Sequence, residues 1–449
     1  MGQYGAPIHV HFLSSRVRRT IGGLRVLITT FGTLGDLDPY LALGRGLAER
    51  GHDVVIATHE YYREMVGAAG IGFHPVRPDA HPEDREAFAR AMNPRFGSQY
   101  VLRKLVIPHV RDSWEDTTDA ARNADLVVTH PLTFAGRIVA EEIGLPWVST
   151  VLAPLSFFSR YDFPVVSPLP NAWRIYGIPG VPRLLIRLFR AVTRSWTAPV
   201  RELRSERGLP PGGDTLYEGQ HSAVSTLALF SRVLAAPQPD WPPSTRLTGF
   251  LFRDAAGGEA LDAKLEAFLA SGPPPVVFTL GTSAVAVAGS FYEESLAAAR
   301  HLGMRAVLMV GSDPANLPRA ALGDDAIAVE RAPHSALFPR AAAIVHHGGI
   351  GTLGQALRAG RPMLVVPWSH DQPDNARRAL RLGVARILSP QHYRADRATR
   401  AIGELLHDPG FAARAAEIGA IVRSEDGVGA ACEAIEDAAL AHRAPASGG

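Results

Sequence analysis

The sequence predicts an α/β protein of two domains, each built on a doubly wound parallel sheet, with a cleft between them. Three observations support this fold class. Two separate series of short apolar runs alternate with helical patterns, and such alternation is typical of parallel sheets covered by helices. Between the two series, prolines at 237, 239, 242 and 243 surround Trp241 and indicate a stiff linker. The length of 449 residues suits two domains of ordinary size.

The first series of elements defines the N-terminal domain, which is predicted to span residues 24–238. It begins with an apolar strand at residues 25–31 and a helix over residues 39–50. Residues 154–182 are rich in proline and aromatic side chains and interrupt the pattern. A helix over residues 183–206 restores it. The further predicted elements are strands at 53–57, 71–76, 126–129 and 147–150, and a helix over 133–143.

The second series defines the C-terminal domain, predicted at residues 239–412. Its strands are expected at residues 275–280, 305–310, 326–330, 343–346 and 363–366. Closing helices occupy residues 413–443. Residues 1–23 are predicted to be a disordered N-terminal tail, and residues 444–449 a flexible C-terminal tail.

Composition excludes several classes of function. The net charge of +2 gives no overall field that would attract nucleic acid. One cysteine, Cys432, excludes an internal disulfide framework and a cysteine-based zinc site. No apolar run approaches the roughly 18 residues that a membrane-spanning helix needs, and residues 1–23 lack the order of a signal peptide. These features predict a cytoplasmic protein.

The segment from Val345 to Thr352 reads Val-His-His-Gly-Gly-Ile-Gly-Thr and predicts a strand, a glycine-rich loop and the start of a helix. A helix N-terminus presents unpaired backbone amides and a positive dipole end, and this suits phosphate. Glycines allow a ligand to approach the backbone closely. The histidines supply hydrogen-bond donors at the same place. His346 is expected to point to the opposite face of the strand from His347.

A second polar cluster, His370-Asp371-Gln372, follows the apolar run at residues 363–366. In an open α/β sheet, ligands bind beyond the carboxyl ends of the strands. Both polar clusters are expected at such ends. One cluster can therefore hold a diphosphate while the other hydrogen-bonds a sugar.

The segment from Arg331 to Gln372 resembles the donor-binding signature of nucleotide-sugar-dependent glycosyltransferases with the GT-B fold. The nearest branch is that of the bacterial family 1 enzymes, which glycosylate natural products, sterols and other lipids. The likeness extends from Arg25 to about Arg423. It implies two Rossmann-like domains that face each other across a cleft. It also implies that the helices at residues 413–443 pack back on the N-terminal domain.

The resemblance assigns donor-binding roles to residues of this sequence. It implies that His347 and Thr352 bind the diphosphate, that Asp371 and Gln372 bind hydroxyls of the hexose, and that Gln355 binds the ribose. Asp371 equally fits a cap for a helix at residues 373–382, and Gln355 equally fits a solvated helix position. The other implied donor residues are Thr282 and Ser283 beneath the phosphates, Arg331, Ala332 and His334 at the base, and the loop glycines Gly348, Gly349 and Gly351.

The loop from Phe31 to Pro39 resembles the family loop that faces the acceptor. Glycosyl transfer to a hydroxyl needs a base that takes its proton, and Asp36 matches the aspartate proposed as the base in the antibiotic and sterol branch. Asp38 precedes Pro39 and is the predicted cap of the first helix, which leaves Asp36 for chemistry. The predicted acceptor-binding residues are Phe31, Gly32, Phe157, Phe158, Tyr161 and Trp173.

The expected function is inverting transfer of a hexose to a hydroxyl of a hydrophobic small molecule. UDP-hexose is favoured over TDP-hexose as the donor, and no cofactor is implied beyond it. The absence of an Asp-x-Asp pair on the donor side predicts metal independence. Two alternatives remain at this point. One is a nucleotide-sugar epimerase or hydrolase on the same fold, and the other is a catalytically silent partner of another transferase.

A basic amphipathic segment carries Arg183, Arg187, Arg190 and Arg194 at helical spacing among apolar residues. Such a helix suits the surface of an anionic membrane, where the protein would bind peripherally. The same pattern is also given by a helix that packs on its own domain and exposes its arginines. The expected binding partners are otherwise the small-molecule acceptor and the nucleotide sugar.

Overall fold

The computed structural model describes residues 22–79, 84–167, 172–253 and 260–443. The predicted flexible tails therefore lie almost wholly outside the described residues. The strands in these ranges are β1 (Arg25–Thr29), β2 (Asp53–Thr58), β3 (Gly72–Pro75), β4 (Leu126–Thr129), β5 (Trp147–Val151), β6 (Ser225–Ala228), β7 (Thr245–Leu247), β8 (Val276–Thr279), β9 (Ala306–Met309), β10 (Ala326–Val329), β11 (Ala343–His346), β12 (Met363–Val365) and β13 (Ala385–Ile387).

Helices alternate with these strands. They are α1 (Leu34–Glu49), α2 (Arg63–Ala68), α3 (Arg85–Ala91), α4 (Gly97–Tyr100), α5 (Val110–Ala121), α6 (Phe134–Ile143), α7 (Val181–Thr193), α8 (Ala198–Glu206), α9 (Ala263–Ala270), α10 (Phe291–His301), α11 (His334–Leu337), α12 (Ile350–Ala359), α13 (Gln372–Arg381), α14 (Ala395–His407), α15 (Pro409–Arg423) and α16 (Gly427–Arg443).

The strands form two separate parallel sheets. The first has the order β3-β2-β1-β4-β5-β6-β7, and the second has the order β10-β9-β8-β11-β12-β13. All the pairings are parallel. In each sheet the strand order reverses beside the first strand, and this leaves a crevice at the carboxyl ends of neighbouring strands. The predicted fold class of two doubly wound sheets is confirmed.

Three strands escaped prediction because their sequences carry little strand signal. In β6, Ser225 and Thr226 replace the usual aliphatic run, and the Thr226 hydroxyl is hydrogen-bonded to the Ser149 hydroxyl and the carbonyl of Ser222. The short strands β7 and β13 lie at sheet edges. Because β7 pairs with β6, the first sheet extends past residue 238, at which the sequence analysis ended the N-terminal domain.

The proline-rich segment around Trp241 is not a free spacer. The Trp241 ring is 7% exposed and stacks on Phe157, with the ring centroids 4.1 Å apart. The indole is part of the core that joins the two sheets. Packing therefore holds this segment in place as well as its prolines.

The two closing helices belong to different parts of the molecule. Helix α15 packs its residues Ala415, Ile418 and Val422 into the core of the second sheet. Helix α16 packs Cys432 and Ile435 against α1 and the first sheet. The chain therefore returns to the first domain between Arg423 and Gly427.

Helix α1 begins five residues earlier than predicted. Its N-cap is Thr33, and Pro39 lies inside the helix. The predicted capping role of Asp38 is therefore wrong. Asp38 instead forms an ion pair with Arg253, with 3.1 Å between its Oδ1 and the arginine Nε. The predicted helix at residues 183–206 is two helices, α7 and α8, which are separated by a turn that contains Trp196.

Candidate active site

A single large cleft of about 2020 Å³ separates the two sheets and is lined by both domains. The loop after β1 forms one wall, and the loops after β8, β11 and β12 form the opposite wall. Asp36 lines the first wall, whereas His347 and Asp371 line the second. The carboxyl ends of the parallel strands thus bring together residues that are more than 300 positions apart.

His347 follows β11 and stands between two glycine backbones. A Cβ atom on Gly281 or on Gly349 would lie 2.4 Å from the imidazole, so only glycine leaves room for the ring. The ring is 5% exposed, and its Nδ1 has no hydrogen-bond partner among the described residues. Burial, with a contribution from His334, lowers the pKa of His347 to about 3. A neutral imidazole with an unsatisfied nitrogen is suited to a polar ligand.

Helix α12 directs its N-terminus into the cleft beside His347. The helix begins at Ile350 with Gly349 as its N-cap, and the first-turn amides have no partner within the helix. Thr352 is 8% exposed and lines the cleft, as does Gly351. The dipole end, the amides and the hydroxyl together favour an anion at this point.

Gly348 and His346 support this loop from behind and do not line the cleft. Gly348 has a φ of +90°, its amide donates to His346 Nδ1 at 3.1 Å, and its carbonyl accepts from Asn375 Nδ2 at 3.0 Å. His346 is fully buried, and its Nε2 lies 3.4 Å from the sulfur of Met363. The expected opposite orientation of His346 is confirmed, and Gly348 shapes the turn rather than lining the cavity.

Asp371 lines the cleft at the start of α13. Its carboxylate accepts from Asn375 Nδ2 at 2.7 Å and caps no backbone amide of the helix. Burial raises the pKa of Asp371 to about 7, and the negative charge of Asp36 across the cleft adds to the shift. The alternative in which Asp371 serves only as a helix cap does not fit this geometry.

Gln372 has a structural role that the sequence did not reveal. Its Oε1 accepts from the amides of Trp368 at 2.8 Å and Ser369 at 3.1 Å, so the side chain closes the turn before α13. Gln372 also lines the cleft, although it is only 3% exposed. Because Oε1 is occupied by the turn, the side-chain amide nitrogen is the group that remains for a ligand.

The other predicted donor residues lie at the same end of the cleft. Thr282, Ser283, Ala332 and Gln355 line it, together with His334 and Arg331. His334 stacks on Phe338 with 4.3 Å between ring centroids, and burial lowers its pKa to about 4. The Arg331 side chain is 73% exposed, and its nearest described carboxylate is Glu330 at 3.8 Å. It is thus free to cover a planar ligand group.

Asp36 both caps α1 and faces the cleft. Its Oδ2 accepts from the amide of Thr33 at 2.8 Å and from the Thr33 hydroxyl at 3.1 Å, in a capping box. A Cβ atom on Gly32, whose φ is +128°, would lie 2.3 Å from Oδ2. The glycine therefore makes space for the carboxylate. Asp38 does not cap the helix in place of Asp36, contrary to the prediction, yet Asp36 lines the cleft as expected.

Two histidines that the sequence analysis missed support this loop. His130 Nε2 lies 3.8 Å from Asp36 Oδ1, and its Nδ1 accepts from the amide of Leu132 at 3.0 Å. His59 Nε2 accepts from the amide of Gly32 at 3.3 Å, while its Nδ1 donates to the carbonyl of Pro78 at 2.7 Å. His59 follows β2 and His130 follows β4, the two strands that pair with β1, so both lie at the sheet edge where β1 ends. This placement was the signal from which they could have been predicted.

The environment keeps Asp36 ionised. Partial burial disfavours the carboxylate, but His130 and the Thr33 hydrogen bonds outweigh that effect and hold the pKa of Asp36 below its usual range. The side chain remains 38% exposed to the cleft. An ionised and accessible carboxylate is able to accept a proton from a bound ligand.

The predicted acceptor residues divide into two groups. Phe31, Gly32 and Phe158 line the cleft. Phe157 turns into the core against Trp241, and Tyr161 is 53% exposed under the Arg160 guanidinium. Neither of these two lines the cleft, so the structure contradicts their predicted roles. Trp173 lies in a short 3-10 turn, and its side chain is outside the described part of the structure.

Helix α7 and the turn after it contribute aromatic surface that the sequence analysis did not assign. Phe189 and Trp196 line the cleft near Phe158 and Tyr217. Together with the side chains from α3 to α5 they make this half of the cleft largely apolar. Among the described residues, no cluster of three or more His, Cys, Asp or Glu side chains is arranged to hold a metal ion.

Comparison with known proteins agrees with this geometry. The model of the glycosyltransferase family 28 N-terminal domain matches residues 26–156, and that of the erythromycin biosynthesis protein CIII-like C-terminal domain matches residues 298–427. O-mycaminosyltylonolide 6-deoxyallosyltransferase of Streptomyces fradiae is 36% identical over 432 residues, which cover 92% of this chain and 97% of that enzyme. Sterol 3-beta-glucosyltransferase of Neosartorya fischeri is 28% identical over 92% of this chain, which spans 29% of that enzyme.

Solved structures share the architecture. Spinosyn forosaminyltransferase SpnP superimposes with a TM-score of 0.68 at 19% identity, over 93% of this chain and 99% of that one. Glycosyltransferase VinC, solved in complex with DTDP, gives a TM-score of 0.64 at 23% identity, over 92% and 99%. Two parallel sheets that face each other across a cleft are the architecture of the GT-B glycosyltransferases. With the relationship to the Streptomyces fradiae enzyme, this chain belongs to the family 1 members of that class.

Proposed function

We propose that this protein transfers a hexose from a UDP- or TDP-sugar to a hydroxyl of a bulky hydrophobic molecule, with inversion at the anomeric carbon. One observation carries the proposal. An ionised carboxylate, Asp36, faces the anion-binding loop of His347 and the sugar-recognition candidate Asp371 across one cleft. A base on one wall and a leaving-group site on the other are the elements of a direct displacement.

The proposed reaction is a single displacement. The acceptor oxygen attacks the anomeric carbon, the bond from that carbon to the diphosphate oxygen breaks, and Asp36 takes the hydroxyl proton. His347, Thr352 and the first amides of α12 stabilise the charge that develops on the departing diphosphate. Because these groups stabilise the negative charge of the leaving diphosphate by hydrogen bonds and by the helix dipole, we propose that the reaction needs no metal ion.

In this proposal the hexose and the nucleobase lie at opposite ends of the cleft wall that the second domain forms. Asp371 accepts hydrogen bonds from hexose hydroxyls, and the Gln372 amide donates to them. Gln355 reaches the ribose. The Arg331 guanidinium covers the nucleobase, and His334 and Ala332 lie beside it. The free imidazole nitrogen of His347 supports the diphosphate assignment, since that atom is buried without a partner among the described residues.

The acceptor is proposed to be a large apolar alcohol. Phe31, Phe158, Phe189 and Trp196 give this half of the cleft an aromatic wall, which suits a hydrophobic body. The names of the relatives point the same way, since one acts on a mycaminosyl-tylonolide and another on a sterol. The volume of about 2020 Å³ leaves space for such an acceptor beside the donor.

The test combines donor binding with product analysis. A thermal-shift panel of UDP-glucose, TDP-glucose and the corresponding free nucleotides should raise the melting temperature, because binding to the native state stabilises it. The best donor is then incubated with macrolactone and sterol alcohols with EDTA present. The expected product carries a hexose of inverted anomeric configuration, as read by the anomeric proton coupling.

Three outcomes would contradict the proposal. Release of free hexose at an equal rate with and without acceptor would favour the hydrolase alternative. Donor binding without turnover of any acceptor, together with stimulation of a second transferase, would favour the silent partner. Loss of activity in EDTA that is restored by a divalent cation would contradict metal independence.

Helix α7 supports a further part of the proposal, a peripheral contact with an anionic membrane. Leu184 and Leu188 form an apolar stripe along one face of the helix and are 55% and 52% exposed, whereas Val192, one turn further on, lines the cleft. Arg183 and Arg187 border the stripe and form no salt bridge with any described carboxylate. Among the described residues, no helix has both the length and the apolar character needed to span a bilayer.

The alternative of a helix packed on its own domain describes only one side of α7. Arg190 lies on that side, where its guanidinium binds Glu218 at 2.7 Å and covers the Tyr217 ring. A vesicle flotation assay tests the exposed side. The wild type should float with phosphatidylglycerol vesicles, and Leu184→Ser with Leu188→Ser should not. Equal recovery of both proteins, or equal binding to neutral phosphatidylcholine vesicles, would contradict this contact.

A further inference from the structure

A buried arginine joins helix α13, which follows the proposed sugar-binding residue Asp371, to the first domain, which is called the acceptor domain below. Arg378 of α13 is 1% exposed at its side chain. Its Nε donates to Asp374 on the same helix at 2.7 Å, and its Nη1 donates both to Asp162 and to the carbonyl of Leu234, the latter at 3.1 Å. Asp162 and Leu234 belong to the segments that follow β5 and β6 of the first sheet. The three side chains Asp162, Asp374 and Arg378 are called the interdomain clamp.

Arg378 favours the charged form of both aspartates of the clamp, although burial and the neighbouring charge of Asp162 still hold the pKa of Asp374 above its usual range. Burial disfavours the guanidinium of Arg378, but Asp374 and Asp162 outweigh that effect and hold its pKa above its usual range. Burial also opposes the carboxylate of Asp162, yet Arg378 and Arg381 hold its pKa below its usual range. Buried charges persist only when paired and hydrogen-bonded. The clamp meets that condition, because each of its members has more than one polar contact.

The segment after β5 that contains Asp162 also contacts α13 and the turn before it through two further hydrogen bonds. The amide of Val165 donates to Asp374 Oδ1 at 2.9 Å. Two residues further on, the Ser167 hydroxyl donates to the carbonyl of His370 at 3.1 Å. The loop after β5 therefore runs along the first two turns of α13, from Arg378 back to His370, the residue before Asp371.

The turn that precedes α13 is held in an unusual conformation. His370 has a φ of +58°, a left-handed value that is uncommon for a residue with a side chain. Its Nδ1 lies 3.1 Å from the Ser98 hydroxyl, and the neighbouring Ser369 hydroxyl donates to the carbonyl of Asn93 at 3.1 Å. Ser98 and Asn93 are both in the first domain. Such a conformation persists where surrounding contacts fix it, and here the contacts come from the other domain.

We infer that Asp162 and Arg378 are positioning residues, which align the turn Ser369–Gln372 with the acceptor half of the cleft. This inference rests on the proposed function, in which Asp371 and Gln372 bind the hexose. The acceptor domain then takes part in placing the sugar, although it does not contact the sugar itself. Breaking the clamp should misplace the sugar relative to Asp36 and leave the diphosphate loop of His347 intact.

The test uses Asp162→Asn in the full chain. This change retains the shape of the side chain and removes the charge that faces Arg378. Hydrogen–deuterium exchange of the segment 366–375 should become at least tenfold faster, whereas exchange of the segment 345–355 should not change. The dissociation constant of free UDP or TDP should stay within twofold. With the best donor and acceptor, kcat for transfer should fall at least tenfold, and the share of donor lost to hydrolysis should rise.

Controls separate positioning from folding. Asp162→Glu restores the charge and should recover part of the transfer rate. Glu266→Gln removes a carboxylate that pairs with Arg340 on the exposed surface of the second domain, and should leave both exchange and transfer unchanged. If Asp162→Asn does not fold, the milder Arg381→Gln, which removes only the exposed arm on Asp162, replaces it.

Two results would overturn the inference. One is unchanged exchange of the segment 366–375 in Asp162→Asn, because the clamp would then not hold the turn. The other is an equal loss of nucleotide affinity, transfer and hydrolysis, as expected from general loosening of the domain. Because hydrogen exchange needs no turnover, it tests the clamp even if the wild type transfers no hexose, an outcome that would contradict only the proposed function.

Discussion

His130 Nε2 stands 3.8 Å from Asp36 Oδ1, across the crevice between the loops that follow β4 and β1. Because His130 Nδ1 accepts the amide of Leu132, the proton of the neutral ring lies on Nε2 and faces the carboxylate. The pair thus gives Asp36 a defined orientation and a favourable field. In the proposed reaction Asp36 is the base, and His130 positions it.

Replacing Asp36 should affect chemistry far more than folding. Asp36→Asn keeps an oxygen that can accept from the Thr33 amide, so the cap survives, but the amide cannot take a proton. The transfer rate should fall by about 10²–10⁴, while the melting temperature and the nucleotide affinity barely move. Steady-state kinetics and a thermal scan measure these quantities. Asp38→Asn on the same helix is the comparison. If Asp38→Asn loses more of the transfer rate than Asp36→Asn, the assignment of the catalytic base to Asp36 is wrong.

Replacing His130 should change the pH profile rather than abolish the reaction. In His130→Gln the carboxylate of Asp36 loses a group that lowers its pKa, so that pKa rises. On acidification, kcat/KM should therefore begin to fall at a higher pH than in the wild type. The exposed His392→Gln is the matched control and should leave the acid limb in place. An unshifted limb in His130→Gln would show that His130 does not act on Asp36.

His347 should contribute to nucleotide binding as a neutral donor. Loss of a hydrogen bond to a charged group costs about 1.5–3 kcal/mol. His347→Ala should therefore weaken free UDP or TDP by about 10- to 100-fold in a calorimetric titration. Because burial holds the pKa of His347 at about 3, this ring should not make affinity pH-dependent between pH 6 and 8. Unchanged affinity in the variant would exclude the diphosphate role.

Asp371 should lower the stability of the empty protein at neutral and alkaline pH. Burial first, and then the charges of Asp36 and Asp374, raise its pKa from 3.8 to about 7, although Asn375 opposes the shift. Between these values the unfolded chain has lost the proton and the folded chain keeps it, so stability falls as the pH rises. Asp371→Asn removes this effect. The difference between the melting temperatures of Asp371→Asn and the wild type should grow in favour of the variant from about pH 4 to pH 7 and stay constant above pH 7. A difference in melting temperature that does not depend on pH would contradict the raised pKa of Asp371.

Short-range pattern in the sequence was enough to predict two parallel sheets and polar residues at the carboxyl ends of their strands. The strand β11 and the loop through Thr352 are local features, because strand, turn and helix start all follow from neighbouring residues. His347 and Asp371 were located in the same way, in the segments that follow apolar strands, whereas Asp36 was singled out by the resemblance of its loop to the acceptor-facing loop of the family. Since parallel strands end at one edge of a sheet, their meeting in one cleft followed from the fold class.

Features that depend on residues far apart in the chain could be seen only in the folded protein. Phe157 and Phe158 are neighbours, yet one stacks on Trp241 in the core and the other lines the cleft. Local pattern could not separate two adjacent phenylalanines, and only the folded chain shows the left-handed φ of +46° at Phe158. The start of α1 also escaped, since the capping box of Thr33 and Asp36 competes with the equally plausible Asp38-Pro39.

The partners in the supporting contacts of the site could not be identified from the sequence. His130 reaches Asp36 from β4, and Asp162 reaches Arg378 from the other domain. A histidine or an aspartate is compatible with many surroundings, and its partner is selected only when the sheets and domains pack. The strands and their end residues are therefore readable from short-range pattern, whereas the pKa of Asp36 and the conformation of His370 are set by contacts that only the folded chain creates.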